Sequence, residues 1–270
     1  MIFIQDSLYD KLKGVSLSSL HVVSDFDRTL TKCFVNGKKI PSTIALIREG
    51  GYLTDDYPRK AFTLFDTYHP IEVDDSLDFE YKYLKMKEWW EEHERLLVAS
   101  GMCRAVVDDI ISKYPKMFRD GSLEFLKLLY EKEIPILIFS SGNGNIIEGA
   151  LEKENALFSN IHILSNTFNF DSDGKATGYK NEVIHILNKS ETAIEDKYKM
   201  LISNRPHVLL LGDSLGDLGM VDSLHSSIII KIGFLNEHPE KLELYKSKFD
   251  IVITEDGSMD EVLSLFNRIK

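Results

Sequence analysis

The chain has 270 residues, of which 43% are hydrophobic and 28% charged, with a formal net charge of −11. That length suits one core with a sizeable insertion, and the acidic balance excludes a protein that grips a nucleic-acid backbone or an anionic membrane. Cys33 and Cys103 have neither metal-ligand spacing nor the look of a disulfide framework, and no apolar run approaches the ~20 residues that span a bilayer.

The opening MIFIQDSLYDKLKG carries no signal pattern, so a cytoplasmic, monomeric protein is expected. The first buried strand is predicted at LHVVSDF, residues 20–26. From 41 to 115 the chain changes character. A long helical pattern from Asp78 to Ser100 puts Met86, Trp89, Trp90, His93, Leu96 and Leu97 on one face, at spacings of three and four. Beyond it come a helix at 122–133, a strand at 134–142, a helix at 146–155 and a strand at 161–166. NTFNFDSDGKATGYK, 166–180, reads as a hairpin turning at Asp173-Gly174. A helix near 191–203, strands at 207–213, 227–233 and 249–254, and a helix at 259–270 complete the chain.

These strands are too short for buried helices and rich in Val and Ile, which marks strands covered on both faces. Their alternation with helices predicts an α/β fold, a doubly wound parallel sheet with an inserted helical cap. The expected core is discontinuous, 1–40 and 116–270, with the cap at 41–115. Ligands of such sheets sit at the carboxyl ends of the strands. DFD, SSG and GDS all fall there.

DFDRTLT at 25–31 offers two carboxylates at one strand end. A carboxylate becomes a useful nucleophile when positive charge neutralises the group it attacks, and a second carboxyl can move the protons. GDSLGD at 212–217 adds Asp213 and Asp217, an oxygen-rich pair suited to a hard cation. Ser140 and Ser141, ahead of a helix, can hold phosphate oxygens, and Lys189 can neutralise them. Each motif alone also fits a plain cap or a solvated side chain. Their conjunction does not.

DxDxT, a strand-end serine, a lysine and GDSxxD, in that order, resemble the full motif set of the haloacid dehalogenase superfamily. YHPIEVD at 68–74, EWW at 88–90, IHILNKS, KIGFLNE at 231–237 and FDIVI at 249–253 resemble the cytosolic 5′-nucleotidase III family more closely. The resemblance implies Asp25 as the nucleophile and Asp27 as general acid and base. It implies Mg²⁺ at Asp25, the Asp27 carbonyl and Asp213, with Asp217 a ligand or a neighbour. Ser140 and Lys189 match the phosphate-stabilising positions, Ser141 stands where many members carry alanine, and Glu72 matches the glutamate that bonds the base. Two departures are GNGN at 142–145 and His93, which replaces a small base-contacting residue and is a candidate base contact as well as a packing residue.

The implied activity is hydrolysis of nucleoside 5′-monophosphates through an aspartyl phosphate, with transfer to another nucleoside as a further outcome. The implied substrates are CMP and UMP, or 7-methyl-GMP. The Trp89-Trp90 doublet resembles the 7-methylguanosine branch, and stacking of Trp90 on a cationic base would contribute roughly 0.5–2 kcal/mol. A phosphoserine-phosphatase-type enzyme is the alternative.

Overall fold

The structure, a computed structural model, describes residues 1–74, 76–113, 117–189, 196–221 and 227–269. The chain begins with β1 (Ile2–Ile4), α1 (Leu8–Lys13) and β2 (Leu20–Ser24), followed by the small hairpin β3 (Phe34–Val35) and β4 (Lys38–Lys39). Four helices come next: α2 (Thr43–Glu49), α3 (Tyr57–Val73), α4 (Phe79–Ala99) and α5 (Arg104–Lys113). Alternation resumes with α6 (Ser122–Glu131), β5 (Ile136–Asn143), α7 (Gly144–Lys153) and β6 (Ile161–Asn166), then the hairpin β7 (Phe168–Phe170) and β8 (Ala176–Tyr179). The last elements are α8 (Asp196–Ile202), β9 (His207–Gly212), β10 (Ile228–Leu235), α9 (Leu242–Lys248), β11 (Ile251–Thr254) and α10 (Asp260–Phe266).

Seven strands form one sheet in the order β1-β11-β10-β9-β2-β5-β6. All neighbours run parallel except β1 against β11. Every residue of β2 is buried, as expected of a central strand covered on both faces. From β2 the chain winds outward through β5 and β6, then returns to build β9, β10 and β11 on the other side. That reversal opens a crevice at the carboxyl ends of β2, β5 and β9, where such sheets bind ligands. The predicted core strands and the mostly parallel sheet are as observed. The antiparallel edge strand β1 is an addition. Three residues are too few to show a period, and their partner lies some 250 positions away, with Phe3 opposite Val252.

Residues 43–113 contribute four helices and, among the described residues, no strand of the main sheet. The expected boundary at 115–116 lies outside the described residues, as does the first part of the helix expected near 191–203. α4 starts at the predicted place because Asp78 caps it, accepting from the Tyr81 N–H at 3.2 Å. Met86, His93 and Leu97 are buried on the expected face, with Trp90 and Leu96 packed beside them. The hairpin turns at Gly174, whose φ of 77° glycine alone tolerates without strain. It braces α4: the Glu94 carboxylate accepts from the Tyr179 N–H at 2.6 Å.

Three buried histidines make stability depend on pH. His21 on β2 is hydrogen-bonded through Nδ1 to the Arg205 carbonyl at 2.9 Å, and His93 through Nε2 to the Tyr57 hydroxyl at 3.0 Å. Burial pushes His21, His93 and His185 down to about 4 from the ordinary 6.5. Between those values the unfolded chain binds protons that the native state refuses, so stability held above the upper value is lost as pH falls through the window. Each histidine contributes a slope of up to about 1.4 kcal/mol per pH unit. Burial raises Asp25, Asp27 and Asp213 and so acts in the opposite sense over the same window. The direct test is imidazole titration by NMR: the three rings should stay neutral from pH 7 down to about pH 5, and a midpoint near 6.5 would contradict neutral burial.

Candidate active site

Asp25 emerges directly from β2, its N–H donating to the Leu211 carbonyl of β9 at 3.0 Å. The chain then closes a tight loop in which the N–H groups of Thr29, Leu30 and Thr31 all point to the Phe26 carbonyl. Arg28 in that loop has a φ of 65°, a left-handed conformation uncommon for a side chain of this size. Arg119 holds the loop in place. Its fully buried guanidinium donates to the carbonyls of Arg28, Thr29 and Gly257 and lies 4.2 Å from the Phe234 ring centroid. Sequence reasoning missed Arg119, because a single arginine in FRDG carries no pattern.

Three acids meet over the strand ends. Asp25, Asp213 and Asp217 each offer a carboxylate oxygen within 4.8 Å of the others. Lys189, itself buried, reaches the Asp25 carboxylate at 2.6 Å and the Asp217 carboxylate at 2.9 Å. The lysine ammonium is costly to bury, but these two carboxylates hold it charged. Burial pushes Asp25 up to about 7, opposed by Lys189 and reinforced by the negative charge of Asp217. Burial also raises Asp213 well above the usual carboxylate range, with Asp25 and Asp217 adding to the effect. One lysine does not balance this cluster. The surplus negative charge and all-oxygen donor set fit a hard divalent cation. Asp217 is the most satisfied of the three acids, since its other oxygen accepts from the Ser214 N–H and hydroxyl at 3.0 and 2.9 Å.

Asp27 points elsewhere. Its carboxylate accepts from the N–H of Thr43 at 3.0 Å and from the Thr43 hydroxyl at 2.9 Å, and burial raises its pKa against these bonds. Thr43 opens α2, so the first helix of the inserted segment holds the second aspartate. The Thr43 hydroxyl in turn accepts from the Asn143 N–H at 2.9 Å. Gly142 makes this convergence feasible: a Cβ there would stand 2.1 Å from the Thr43 hydroxyl and 2.8 Å from the Asp27 carboxylate. In the loop after Ser141, Asn143 caps α7 through the Ile146 N–H at 3.1 Å, while the Ser140 hydroxyl accepts from the Gly142 N–H at 3.0 Å. A register shift between Phe139 and Asn143 bends β5 where the two serines lie. Thr43 was not foreseen. Nothing near it in sequence marks a partner sixteen residues upstream.

One cavity of about 330 Å³ is lined by Asp25, Asp27, Ser140, Ser141, Lys189, Asp213 and Asp217, and also by Glu72, Trp90 and His93. All ten residues singled out from the sequence therefore face the same space. Phe65, Trp89, Ile44 and Arg48 join them from α2, α3 and α4. Trp89 stacks on Tyr68 with ring centroids 5.9 Å apart, and Trp90 meets His93 edge-on at 6.4 Å. Glu72 is hydrogen-bonded to His69 Nδ1 at 2.9 Å. The cavity thus has a charged floor at the sheet and an aromatic roof on the inserted helices.

A family model described as pyrimidine 5′-nucleotidase (UMPH-1) matches residues 28–270. The 7-methylguanosine phosphate-specific 5′-nucleotidase A of Xenopus laevis is 35% identical over 263 residues, covering 95% of this chain and 91% of that protein. A crystal structure of cytosolic 5′-nucleotidase IIIB bound to cytidine superposes with a TM-score of 0.89 at 31% identity, covering 99% of this chain and 93% of that one. A substrate-bound phosphoserine phosphatase shares the fold alone, with a TM-score of 0.55 at 17% identity, covering 92% of this chain and 97% of that one. The chain belongs to the pyrimidine 5′-nucleotidase family: it is a 5′-nucleotidase, a phosphatase of the haloacid dehalogenase type.

Proposed function

We propose that this is a cytoplasmic, Mg²⁺-dependent enzyme that hydrolyses nucleoside 5′-monophosphates to nucleoside and phosphate through an aspartyl phosphate on Asp25. The observation that carries the reading is the juxtaposition, in one cavity, of the Asp25–Asp213–Asp217–Lys189 cluster and an aromatic roof. Asp25 and Asp213 would hold the cation together with the Asp27 backbone carbonyl, and Asp217, bonded to Lys189 and Ser214, supports them. A bound Mg²⁺ supplies positive charge that offsets both the phosphoryl oxygens and the crowded carboxylates.

In the first half-reaction a carboxylate oxygen of Asp25 attacks phosphorus and the bond from phosphorus to the 5′-oxygen breaks. Asp27, raised by burial, gives its proton to that leaving oxygen. In the second, Asp27 takes a proton from water as the water oxygen attacks phosphorus, and the Asp25–phosphorus bond breaks to release phosphate. Lys189 and the Ser140 and Ser141 region bind the phosphoryl oxygens. Glu72 accepts from base N–H groups, Trp90 presents its ring, and His93, tied to Tyr57, shapes the wall. On this reading residues 41–115 form a cap for base recognition over a core of 1–40 and 116–270.

The test is phosphate release from CMP, UMP, GMP, AMP, 7-methyl-GMP and phosphoserine under identical conditions. Nucleotides are expected to exceed phosphoserine by more than about a hundredfold in kcat/KM, since only they fill the aromatic end. A preference for phosphoserine would overturn the reading.

A further inference from the structure

Arg48 lines the cavity, yet no step of the phosphate chemistry uses it. It lies one helical turn after Ile44 on α2, and both residues face the cavity. Its guanidinium stands over two rings of α3, 5.4 Å from the centroid of Phe62 and 5.1 Å from that of Phe65. Such rings hold the planar fork in place without using its N–H donors. Nε is buried and has no partner among the described residues. Among the described residues, the only hydrogen bond of the group is a 3.5 Å contact from Nη2 to the neighbouring, half-exposed Glu49. A guanidinium only 18% exposed, with a buried Nε left without a partner among the described residues beside a ligand-sized cavity, has the properties of a group awaiting acceptors.

The complementary acceptor is close by. Phe65, which carries Arg48, also stacks on His69 with centroids 4.5 Å apart, and His69 is the residue bonded to Glu72. A donor fork and a carboxylate therefore flank the same aromatic wall. Glu72 alone would favour a cationic base, and Arg48 offsets that preference with a like charge.

We propose that Arg48 is a specificity-determining residue: with Glu72 it reads a neutral nucleobase bearing a carbonyl oxygen beside an N–H, and its charge disfavours a fixed-cation base. This rests on the 5′-nucleotidase reading and deepens it. Uracil and guanine present such an edge, whereas cytosine has an unprotonated ring nitrogen between its carbonyl and its amino group. Adenine has no carbonyl, and 7-methylguanine carries the opposed charge. The competing role for Arg48 is packing at the last turn of α2, where a cation also suits the helix dipole.

The experiment compares specificity constants for UMP and 7-methyl-GMP in wild type, Arg48→Met and Arg48→Lys. Both substrates meet the same sample, so their ratio is insensitive to misfolded protein. Wild type should prefer UMP. Arg48→Met should move the ratio toward 7-methyl-GMP by at least about tenfold, chiefly through KM. Arg48→Lys, with the charge but not the fork, should raise KM for UMP severalfold and still handle 7-methyl-GMP poorly. If Arg48→Met does not fold, the lysine variant decides. An unchanged ratio in a folded variant, or a wild-type preference for 7-methyl-GMP, overturns the role of Arg48 and leaves the nucleotidase reading intact. Failure of wild type to act on any nucleotide overturns both.

Discussion

Replacing Asp25 with Asn is expected to abolish turnover while the protein stays folded. The amide has nearly the same shape and still presents an oxygen to Lys189, which retains Asp217 as its charged partner at 2.9 Å. What disappears is the nucleophile, because an amide oxygen does not form the acyl phosphate. The loss in kcat should exceed about 10³-fold, as for other covalent nucleophiles. Activity above a tenth of wild type, with an unchanged circular dichroism spectrum, would refute the covalent route. Asp27→Asn gives the informative contrast. Its side chain is absent from the carboxylate cluster and is held by Thr43. That variant should accumulate some phosphoenzyme in rapid-quench experiments and then stall, because nothing deprotonates the attacking water. Steady turnover near wild type would remove Asp27 from the proton transfers.

Removal of divalent cations should be equally severe. Burial pushes Asp25 up to about 7, opposed by Lys189 and reinforced by Asp217, so added positive charge would favour its ionised form near neutral pH. EDTA treatment followed by desalting should leave only background activity, and Mg²⁺ should restore it. Ca²⁺ should bind and support little turnover, since it accepts more ligands at longer and more variable distances. A second readout does not depend on catalysis. A cation that binds only the native state raises stability, by about 2.7 kcal/mol at a hundred times its Kd. Tm should therefore rise with Mg²⁺ in wild type and rise less in Asp213→Asn. Full activity in a preparation shown to be metal-free would sink the assignment.

Much of this site was legible in the sequence, and the reason is geometrical. Residues of a doubly wound sheet that carry chemistry sit just past short runs of Val, Ile and Leu, and such runs are visible without a structure. Asp25, Ser140 and Asp213 each end one, and the topology that gathers strand ends then brings them together. The α4 helix was legible too, from its apolar spacing and its Asp78 cap. Tertiary structure alone decided the rest. Thr43 on Asp27, Arg119 on the loop after Asp25, and β1 on the sheet edge are contacts between segments distant in the chain. Each is made by a residue type too common to mark its own role. Arg48 is the sharpest case: in sequence it ends a short helix like any solvated arginine, and only the fold brings it over Phe65 and into the cavity beside Glu72. Periodicity records which side of an element faces the core. It holds no record of which distant element will lie opposite, and that pairing sets the charge a ligand meets.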